Sequence, residues 1–208
     1  VYDIPEGDSA GRGKPINRLI GIGPEERVCS VINVKEFPED KFVMLFSKQG
    51  YVKKTSLAEF SHPRINGIIA AEVPADDLLL EAQITHGNNE VILGTYLGKA
   101  LKFNEKNVRP MGRSARGVTA IKLGKGDCVV GADVIAENDK YILTVTETGI
   151  GKKSDLALYR LQNRGGKGLI NIKITAERGN VIGLVTLNEE DSEIILCSQK
   201  AVLNKQDT

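Results

Sequence analysis

The sequence has no tryptophan, few aromatic residues and only three cysteines in 208 residues. The absence of tryptophan argues against WD repeats, whose units carry a Trp-Asp dipeptide. Cys29, Cys128 and Cys197 are odd in number and lack metal-ligand spacing, so we expect buried, reduced thiols rather than a zinc site or a disulfide framework. His62 and His86 stand alone, and without a surrounding Cys, Asp or Glu constellation neither is expected to act in catalysis or bind a metal.

Long apolar runs are also missing. No stretch approaches the ~20 residues that a membrane-spanning helix needs, and the first residues do not form a charged and then apolar leader. We therefore expect no membrane partner and a cytoplasmic location. Because hydrophobic residues still make up 41% of the chain, the composition is typical of a globular protein.

A repeat of about fifty residues organises the chain. Four copies begin at Val43, Val91, Ile142 and Ile194. Each opens with an apolar run of strand length, a turn and a second run. In three copies a glycine stands seven residues after the start: these are Gly50, Gly98 and Gly149. The pattern predicts a β-hairpin at the start of each repeat.

A glycine-containing loop and more apolar stretches follow each hairpin. We name "HPRINGIIAAEV" (62–73), "GRSARGVTAIKL" (112–123) and "QNRGGKGLINIKI" (162–174) the first, second and third glycine loops; "SAGRGKPINRLI" (9–20) is a related segment. The later stretches, "RVCSVINV", "LLLEAQI", "CVVGADVI" and "NVIGLVTL", are typical of strands. Helical periodicity is poor throughout. These features predict an all-β, β-propeller-like fold with four-stranded blades.

The repeat also predicts how the chain is divided. We interpret residues 1–208 as a single domain that holds about four to five blades' worth of sequence. Full repeats cover about 41–88, 89–138 and 139–190, and partial repeats cover 1–40 and 191–208.

Charge follows the repeat although the net charge is only +1. Basic residues outnumber acidic ones by eight to two in 97–130, by seven to two in 150–178 and by four to one in 48–64. The stretches 72–90 and 179–193 hold five and four acids and no base. In a radial array the same half of each repeat recurs on the same face, so the basic halves are expected to join into a stripe around the rim.

Individual basic residues also recur at the same positions of the repeats. A lysine stands eleven residues after each start, and Arg113 and Arg116 of the second loop match Arg164 and Lys167 of the third. Five residues after the loop glycine come Arg18, Lys122 and Lys173, where the repeat from Val43 has Glu72. The candidate DNA-binding residues are Arg12, Lys14, Arg18, Lys53, Lys54, Arg64, Lys99, Lys102, Arg113, Arg116, Lys122, Lys152, Lys153, Arg164, Lys167, Lys173 and Lys205.

We interpret this pattern as a surface that follows the phosphates of duplex DNA, because Lys and Arg neutralise phosphates and release counterions. Such contacts read the shape and bendability of DNA rather than its bases. Aromatic residues for base stacking are scarce in the basic loops, which favours a duplex over single strands.

The glycine loops do not match nucleotide-binding motifs. In "QNRGGKG" Leu161 stands where a Walker loop needs its first glycine, and Gly168 replaces the Ser or Thr that would hold magnesium. Near the N-terminus, "GRGKPI" has Ile16 in place of the last glycine of G-x-G-x-x-G. The chain also shows no nucleophile and base pair and no carboxylate cluster with a clear role. We expect no catalytic residue, no metal site and no cofactor in this domain.

The segment "QNRGGKG" resembles the GyrA box, Q-R-R-G-G-K-G, of the DNA gyrase A C-terminal domain family. Six of its seven positions agree, and Asn163 replaces an arginine. The resemblance covers essentially all of the chain, through "VYDIPEGDSAGRGKPINRLI", "GYVKKTSLAEF", "VRPMGRSARGVTAIKLGKGD" and "GIGKKSDLALY". The box-like loop consists of Gln162, Asn163, Arg164, Gly165, Gly166, Lys167 and Gly168.

This resemblance implies a β-pinwheel of roughly six blades that share strands, with a basic rim that wraps duplex DNA. It implies a non-catalytic, monomeric domain within a bacterial, nucleoid-associated type IIA topoisomerase. The rest of gyrase A and gyrase B are the implied partners, in a complex with two copies of each protein, with ATP and Mg²⁺ used elsewhere in that enzyme. Two alternatives remain open: the corresponding C-terminal domain of topoisomerase IV, and a propeller that docks proteins on its acidic and basic faces.

Overall fold

A computed structural model describes residues 21–207 except 24, 65–66, 192, 199 and 201, together with residues 11 and 15. Within these residues the chain forms β-strands joined by turns and by three short 3₁₀ helices. The strands are β1 (Phe42–Ser47), β2 (Tyr51–Ser56), β3 (Leu79–Thr85), β4 (Glu90–Thr95), β5 (Lys99–Asn104), β6 (Val118–Thr119), β7 (Val129–Ile135), β8 (Asp139–Thr146), β9 (Gly151–Asp155), β10 (Leu161–Gln162), β11 (Leu169–Ile170), β12 (Val181–Asn188), β13 (Glu193–Cys197) and β14 (Leu203–Asp207). The predicted all-β class is confirmed.

The strands form small sheets, one for each repeat start, in which all pairs are antiparallel except the parallel pair of β10 with β5. The first sheet has the order β3-β1-β2-β6, the second has β10-β5-β4-β7 with β11 also on β5, and the third has β12-β8-β9. The strands β13 and β14 form a two-stranded hairpin. In the first three hairpins the turn glycine has φ near +80°, a conformation that glycine adopts without steric cost.

Neighbouring repeats share strands. The strand β6 belongs to the repeat 89–138 but pairs with β2 of the preceding repeat. In the same way β11, from the repeat 139–190, pairs with β5. Each of these two sheets is therefore completed by the glycine loop of the next repeat, which is the strand sharing that the pinwheel resemblance implies.

Close backbone approach explains the loop glycines. The carbonyl of Gly50 accepts from the amide of Ala120 at 2.8 Å, and the carbonyl of Gly98 accepts from Asn171 at 2.9 Å. At Gly168, φ is +72° and an added Cβ would lie 2.7 Å from the carbonyl oxygen of Ala100. A side chain at this position would push the third glycine loop away from β5, so the glycine is needed for packing between repeats.

The core lies between the sheets. Met44 and Phe46 of the first sheet pack with Leu93, Leu101 and Phe103 of the second, all of them buried. A second cluster fills the space between the second and third sheets. The strands β3, β7 and β12 contact one another from sheet to sheet, and we name them the inner edge. The opposite side of each sheet, formed by β2 with β6, by β5 with β10 and β11, and by β9, is the outer edge.

Two expectations from the sequence are wrong. Residues 27–34, "RVCSVINV", form no strand, although Ile32 and Val34 pack against the first sheet. All three cysteines are free, but Cys29 and Cys197 are exposed and Cys128 is half-buried. Cys29 is exposed because its segment is not paired into a sheet. Burial raises the pKa of the Cys128 thiol.

Candidate nucleic-acid interface

The two edges of the sheets carry different side chains. The outer edge holds Lys99 and Lys102 on β5 and Lys152 and Lys153 on β9, and the basic glycine loops connect to it. The inner edge is held together by neutral and acidic groups. There Gln83 donates to Asp133 at 3.1 Å, and Asp133 accepts from the Thr186 amide at 2.9 Å. Positive charge is thus concentrated on one side of successive sheets.

Each lysine eleven residues after a repeat start has a partner in its own hairpin. The register places the lysine opposite the second residue of the repeat, and diagonally across from the residue just before the start. That residue is either aromatic or a glutamate. The pairs are Lys54 on the Phe42 ring at 4.5 Å, Lys102 with Glu90 at 3.1 Å, Lys153 on the Tyr141 ring at 4.4 Å and Lys205 with Glu193 at 2.6 Å. The lysine repeat is therefore a feature of the hairpin itself.

Lys54 is a member of the core. It is 3% exposed, and its Nζ lies 2.9 Å from a carboxylate oxygen of Glu105 in the next repeat. Glu105 also accepts from the Thr85 hydroxyl and from the Asn89 amide, both at 2.7 Å. The two repeats are joined here by a buried ion pair in which both carboxylate oxygens of Glu105 have hydrogen-bond partners. Lys54, one of the candidate DNA-binding residues from the sequence, therefore takes part in the packing between these repeats.

Lys53 is buried as well, with 1% exposure. Its Nζ donates to the carbonyl oxygen of Ala70 at 2.5 Å and to that of Arg113. Burial is the largest cause that lowers the pKa of Lys53 to about 8. The charge of Glu59 raises this pKa by a smaller amount, and the charge of Arg113 lowers it further. Because a phosphate contact needs an accessible ammonium group, the structure removes Lys53 and Lys54 from the candidate DNA contacts.

The loop arginines bond backbone carbonyls in the preceding loop or just ahead of it. Arg113 donates from Nη1 to the carbonyl of Ile69 at 3.2 Å. Arg164 donates from Nε to Asn107 at 2.8 Å and from Nη1 to Thr119 at 3.1 Å. Ile69 and Thr119 occupy the same position, two residues after the loop glycine. Each guanidinium is half-buried and keeps further N–H donors for a ligand.

The other predicted cations of the described residues face solvent to different degrees. Arg116 is exposed and lies over the Tyr51 ring, with Cζ 4.2 Å from its centroid. Lys152 is exposed and donates to the Asn171 carbonyl at 2.6 Å. Lys99 and Lys102 are partly buried. Arg64, Lys122, Lys153, Lys167, Lys173 and Lys205 are exposed, whereas Arg12, Lys14 and Arg18 lie outside the described residues.

Two exposed arginines were missed by the sequence interpretation. Arg109 and Arg160 both stand eighteen residues after a repeat start, just ahead of the second and third glycine loops. The alignment of the repeats contained the signal, but Ser61 occupies this position in the first repeat. Arg109 and Arg160 are therefore one more pair of exposed basic residues at equal positions in neighbouring repeats.

The box-like loop packs against its neighbours and presents one fully exposed cation. Gln162 pairs with Phe103 in β5, and its Nε2 has no hydrogen-bond partner among the described residues. The Gly165 amide donates to the Ala120 carbonyl at 2.6 Å, and the Gly166 carbonyl accepts from the backbone amide of Lys122 at 2.8 Å. Asn163 and Lys167 face solvent, and Gly168 lies against Ala100. Most of this loop therefore serves to connect repeats.

Within the described ranges, no three His, Cys, Asp or Glu side chains gather into a group that could hold a metal ion. None of the helices formed by these residues is long and apolar enough to cross a bilayer.

Comparison with known proteins identifies relatives of this architecture. The family model described as "DNA gyrase C-terminal domain, beta-propeller" matches residues 41–86, 89–136 and 140–188. The chain is 41% identical over 205 residues to the DNA gyrase A protein of Haloquadratum walsbyi, covering 96% of this chain and 24% of the relative. It is 40% identical over 212 residues to the DNA gyrase A protein of Chlamydia pneumoniae, covering 100% and 25%. The chain thus spans about a quarter of the length of these relatives.

Two solved structures share the fold. The C-terminal domain of DNA topoisomerase IV superposes with a TM-score of 0.86 at 27% identity, over 94% of this chain and 61% of that one. The DNA gyrase A C-terminal domain superposes with a TM-score of 0.83 at 26% identity, over 93% and 64%. These likenesses confirm the β-propeller-like, pinwheel character of the sheets.

Proposed function

We propose, from the premise that this chain belongs to the DNA gyrase C-terminal domain, beta-propeller family, that it is the DNA-binding part of a protein of the gyrase A type. In this proposal duplex DNA lies along the outer edge of successive sheets and bends around them. The domain itself carries out no chemical step. It presents the wrapped DNA to the catalytic part of the parent enzyme, which introduces negative supercoils.

The observation that carries this proposal is the recurrence of exposed cations at equal places in neighbouring repeats. Arg109, Arg116 and Lys122 around the second glycine loop correspond to Arg160, Lys167 and Lys173 around the third, and all six are exposed. Bending a 20–30 base-pair site costs about 1–6 kcal/mol. Several weak phosphate contacts spread along an arc offset such a cost, whereas one strong contact would not curve the duplex.

In this proposal, DNA cleavage and ATP hydrolysis are carried out by other parts of the parent enzyme. Its remaining gyrase A residues would carry DNA cleavage, and gyrase B would hydrolyse ATP with Mg²⁺. Two copies of each protein would form the enzyme, in the cytoplasm where the chromosome lies. The isolated domain is expected to be a monomer, since the basic edge is reserved for DNA.

A linking-number experiment tests wrapping directly. Nicked plasmid is incubated with the domain and sealed by ligase, and the topoisomers are then resolved on a gel. Wrapping of gyrase type predicts a positive linking difference that grows with the amount of bound domain. Failure to bind duplexes longer than about a hundred base pairs at low salt would contradict the proposal, because phosphate binding is strongest there.

The same experiment separates a second candidate, suggested by the likeness to the topoisomerase IV domain. Tight, salt-dependent binding without a linking difference favours a domain that holds DNA without wrapping it. Binding to a protein in preference to long DNA would instead favour a protein-docking propeller. The identities of 36–41% to gyrase A proteins support the gyrase interpretation over both.

A further inference from the structure

Lys53 occupies an unusual place in the outer edge. It lies on β2 with its side chain buried, and its Nζ faces one carbonyl in each of two glycine loops. Ala70 belongs to the first loop and Arg113 to the second, and both carbonyls accept from the same nitrogen. These loops come from different repeats and lie far apart in sequence, so Lys53 is a point at which they are tied together.

The two loops touch at other points around this nitrogen. Arg113 donates through its guanidinium to the Ile69 carbonyl at 3.2 Å. The Glu72 amide donates to the Ala115 carbonyl at 3.3 Å. Together with Lys53 these bonds form a compact contact that we name the loop junction. Arg116, whose side chain lies over Tyr51 on the exposed side, follows directly after the junction in the second loop.

Equivalent positions in the next two repeats show that the hairpin does not need a buried lysine here. The next repeat has Leu101, which is fully buried in the core. The third repeat has Lys152, which is exposed and donates to the single carbonyl of Asn171. A buried lysine that bonds two loops is therefore specific to the junction between the first and second loops.

We propose that Lys53 is a positioning residue for the DNA-binding outer edge: by bonding both loops it fixes the direction in which Arg113 and Arg116 face. The inference rests on the proposed function for its effect on DNA. Its effect on loop order does not, and can be measured without any ligand.

The proton on Lys53 gives this junction a pH dependence of definite sign. The charged groups that act on the Lys53 ammonium group are Glu59 and Arg113. Glu72, Asp77 and Arg116 line a small cavity together with Lys53. Burial, the largest cause, lowers the pKa of Lys53 from 10.5 to about 8. In an opened junction the lysine meets water and titrates near its ordinary value.

The closed junction therefore binds the proton less tightly than the open one, and closure is favoured as pH rises from 8 towards 10.5. A neutral amine still has two N–H donors, which match the two carbonyls it faces. By linkage, the equilibrium constant for opening is expected to fall about tenfold between pH 7 and pH 9.

Limited trypsin digestion without DNA tests the loop half of this inference. The rate of cleavage after Arg113 and Arg116 is compared between wild type and Lys53→Leu at each pH, which cancels the pH dependence of trypsin. Leucine is the natural occupant in the next repeat, and circular dichroism verifies folding. We expect faster cleavage in the variant, and a wild-type rate that falls about tenfold relative to it from pH 7 to pH 9. Equal rates, or a ratio that does not change with pH, would overturn the inference.

A double-mutant cycle on duplex affinity tests the DNA half. If Lys53 acts through the two arginines, Lys53→Leu weakens binding about threefold to tenfold in the wild-type background and has almost no effect in the Arg113→Ala/Arg116→Ala background. Additive losses would show that Lys53 contributes independently and would refute the positioning role. If wild type itself does not bind DNA, the proposed function fails while the digestion experiment still decides the loop junction.

Discussion

Lys54 and Lys153 occupy the same position in the hairpins of the first and third sheets, yet their surroundings are opposite. Lys54 is buried, lies on Phe42 and is paired with Glu105 at 2.9 Å. Lys153 is exposed and contacts the Tyr141 ring at 4.4 Å. Both pack on an aromatic ring of their own hairpin, so the local interaction is the same.

The anionic partner of Lys54 is Glu105, a residue of the next repeat. Glu105 stands where the first and third repeats have Leu57 and Leu156. All three are buried, but only the glutamate can accept the lysine's hydrogen bond. A lysine that recurs at the same position of each repeat thus contributes to packing in one repeat and is exposed to solvent in another.

The largest expected effect comes from breaking the buried pair. Glu105→Leu introduces the residue found at this position in the first and third repeats but leaves the Lys54 ammonium group buried without an anionic partner. Removal of one partner of a buried pair costs about 3–5 kcal/mol. Urea unfolding should show a loss of this size. In Glu105→Leu/Lys54→Met most of the loss should be recovered, and a single variant as stable as wild type would contradict the role assigned to Glu105.

A second comparison concerns two turn glycines at equal positions. Gly98 and Gly149 have φ of +80° and +82°, but a Cβ at Gly98 would meet the Ile172 carbonyl, whereas no atom of the described residues lies within 4 Å of a Cβ at Gly149. Gly149→Ala should cost about 1–2 kcal/mol from backbone strain alone. Gly98→Ala should cost about 2–4 kcal/mol, because overpacking adds to the strain. If thermal unfolding shows equal losses of stability for the two variants, the third glycine loop does not restrict the space at Gly98.

The smallest effect on stability is expected at the exposed member of the first comparison. Lys153→Met removes a surface cation–π contact worth about 0.5–1 kcal/mol. It should also make duplex binding less dependent on salt, so that the magnitude of the slope of log K against log salt falls by about 0.9. An unchanged slope, measured by fluorescence anisotropy, would mean that Lys153 serves its hairpin only.

Local patterns in the sequence were sufficient for part of this structure. The hairpins and turn glycines depend on residues close to one another in the chain, and alternation with a glycine turn predicts them well. The repeat alignment also predicted the basic outer edge, because charge recurs at equal positions whatever the sheet partner is.

Long-range contacts explain what the sequence did not reveal. The burial of Lys53 depends on carbonyls 17 and 60 residues away, and that of Lys54 on Glu105. A lysine in a hydrophilic run gives no local sign of either contact. The exposure of Cys29 has the same origin, since whether "RVCSVINV" pairs into a sheet is decided by distant strands.

The most direct test of the central claim is the salt dependence of duplex binding in two variants with the same loss of charge. The first carries Arg116→Gln, Lys122→Gln, Lys167→Gln and Lys173→Gln on the outer edge. The control carries Arg27→Gln, Lys35→Gln, Lys41→Gln and Lys140→Gln, which lie outside it. If DNA binds along the outer edge, the magnitude of the slope of log K against log salt should be smaller than that of wild type by about 3–4 in the first variant. In the control the slope should stay close to the wild-type value. Equal slopes in the two variants would contradict it.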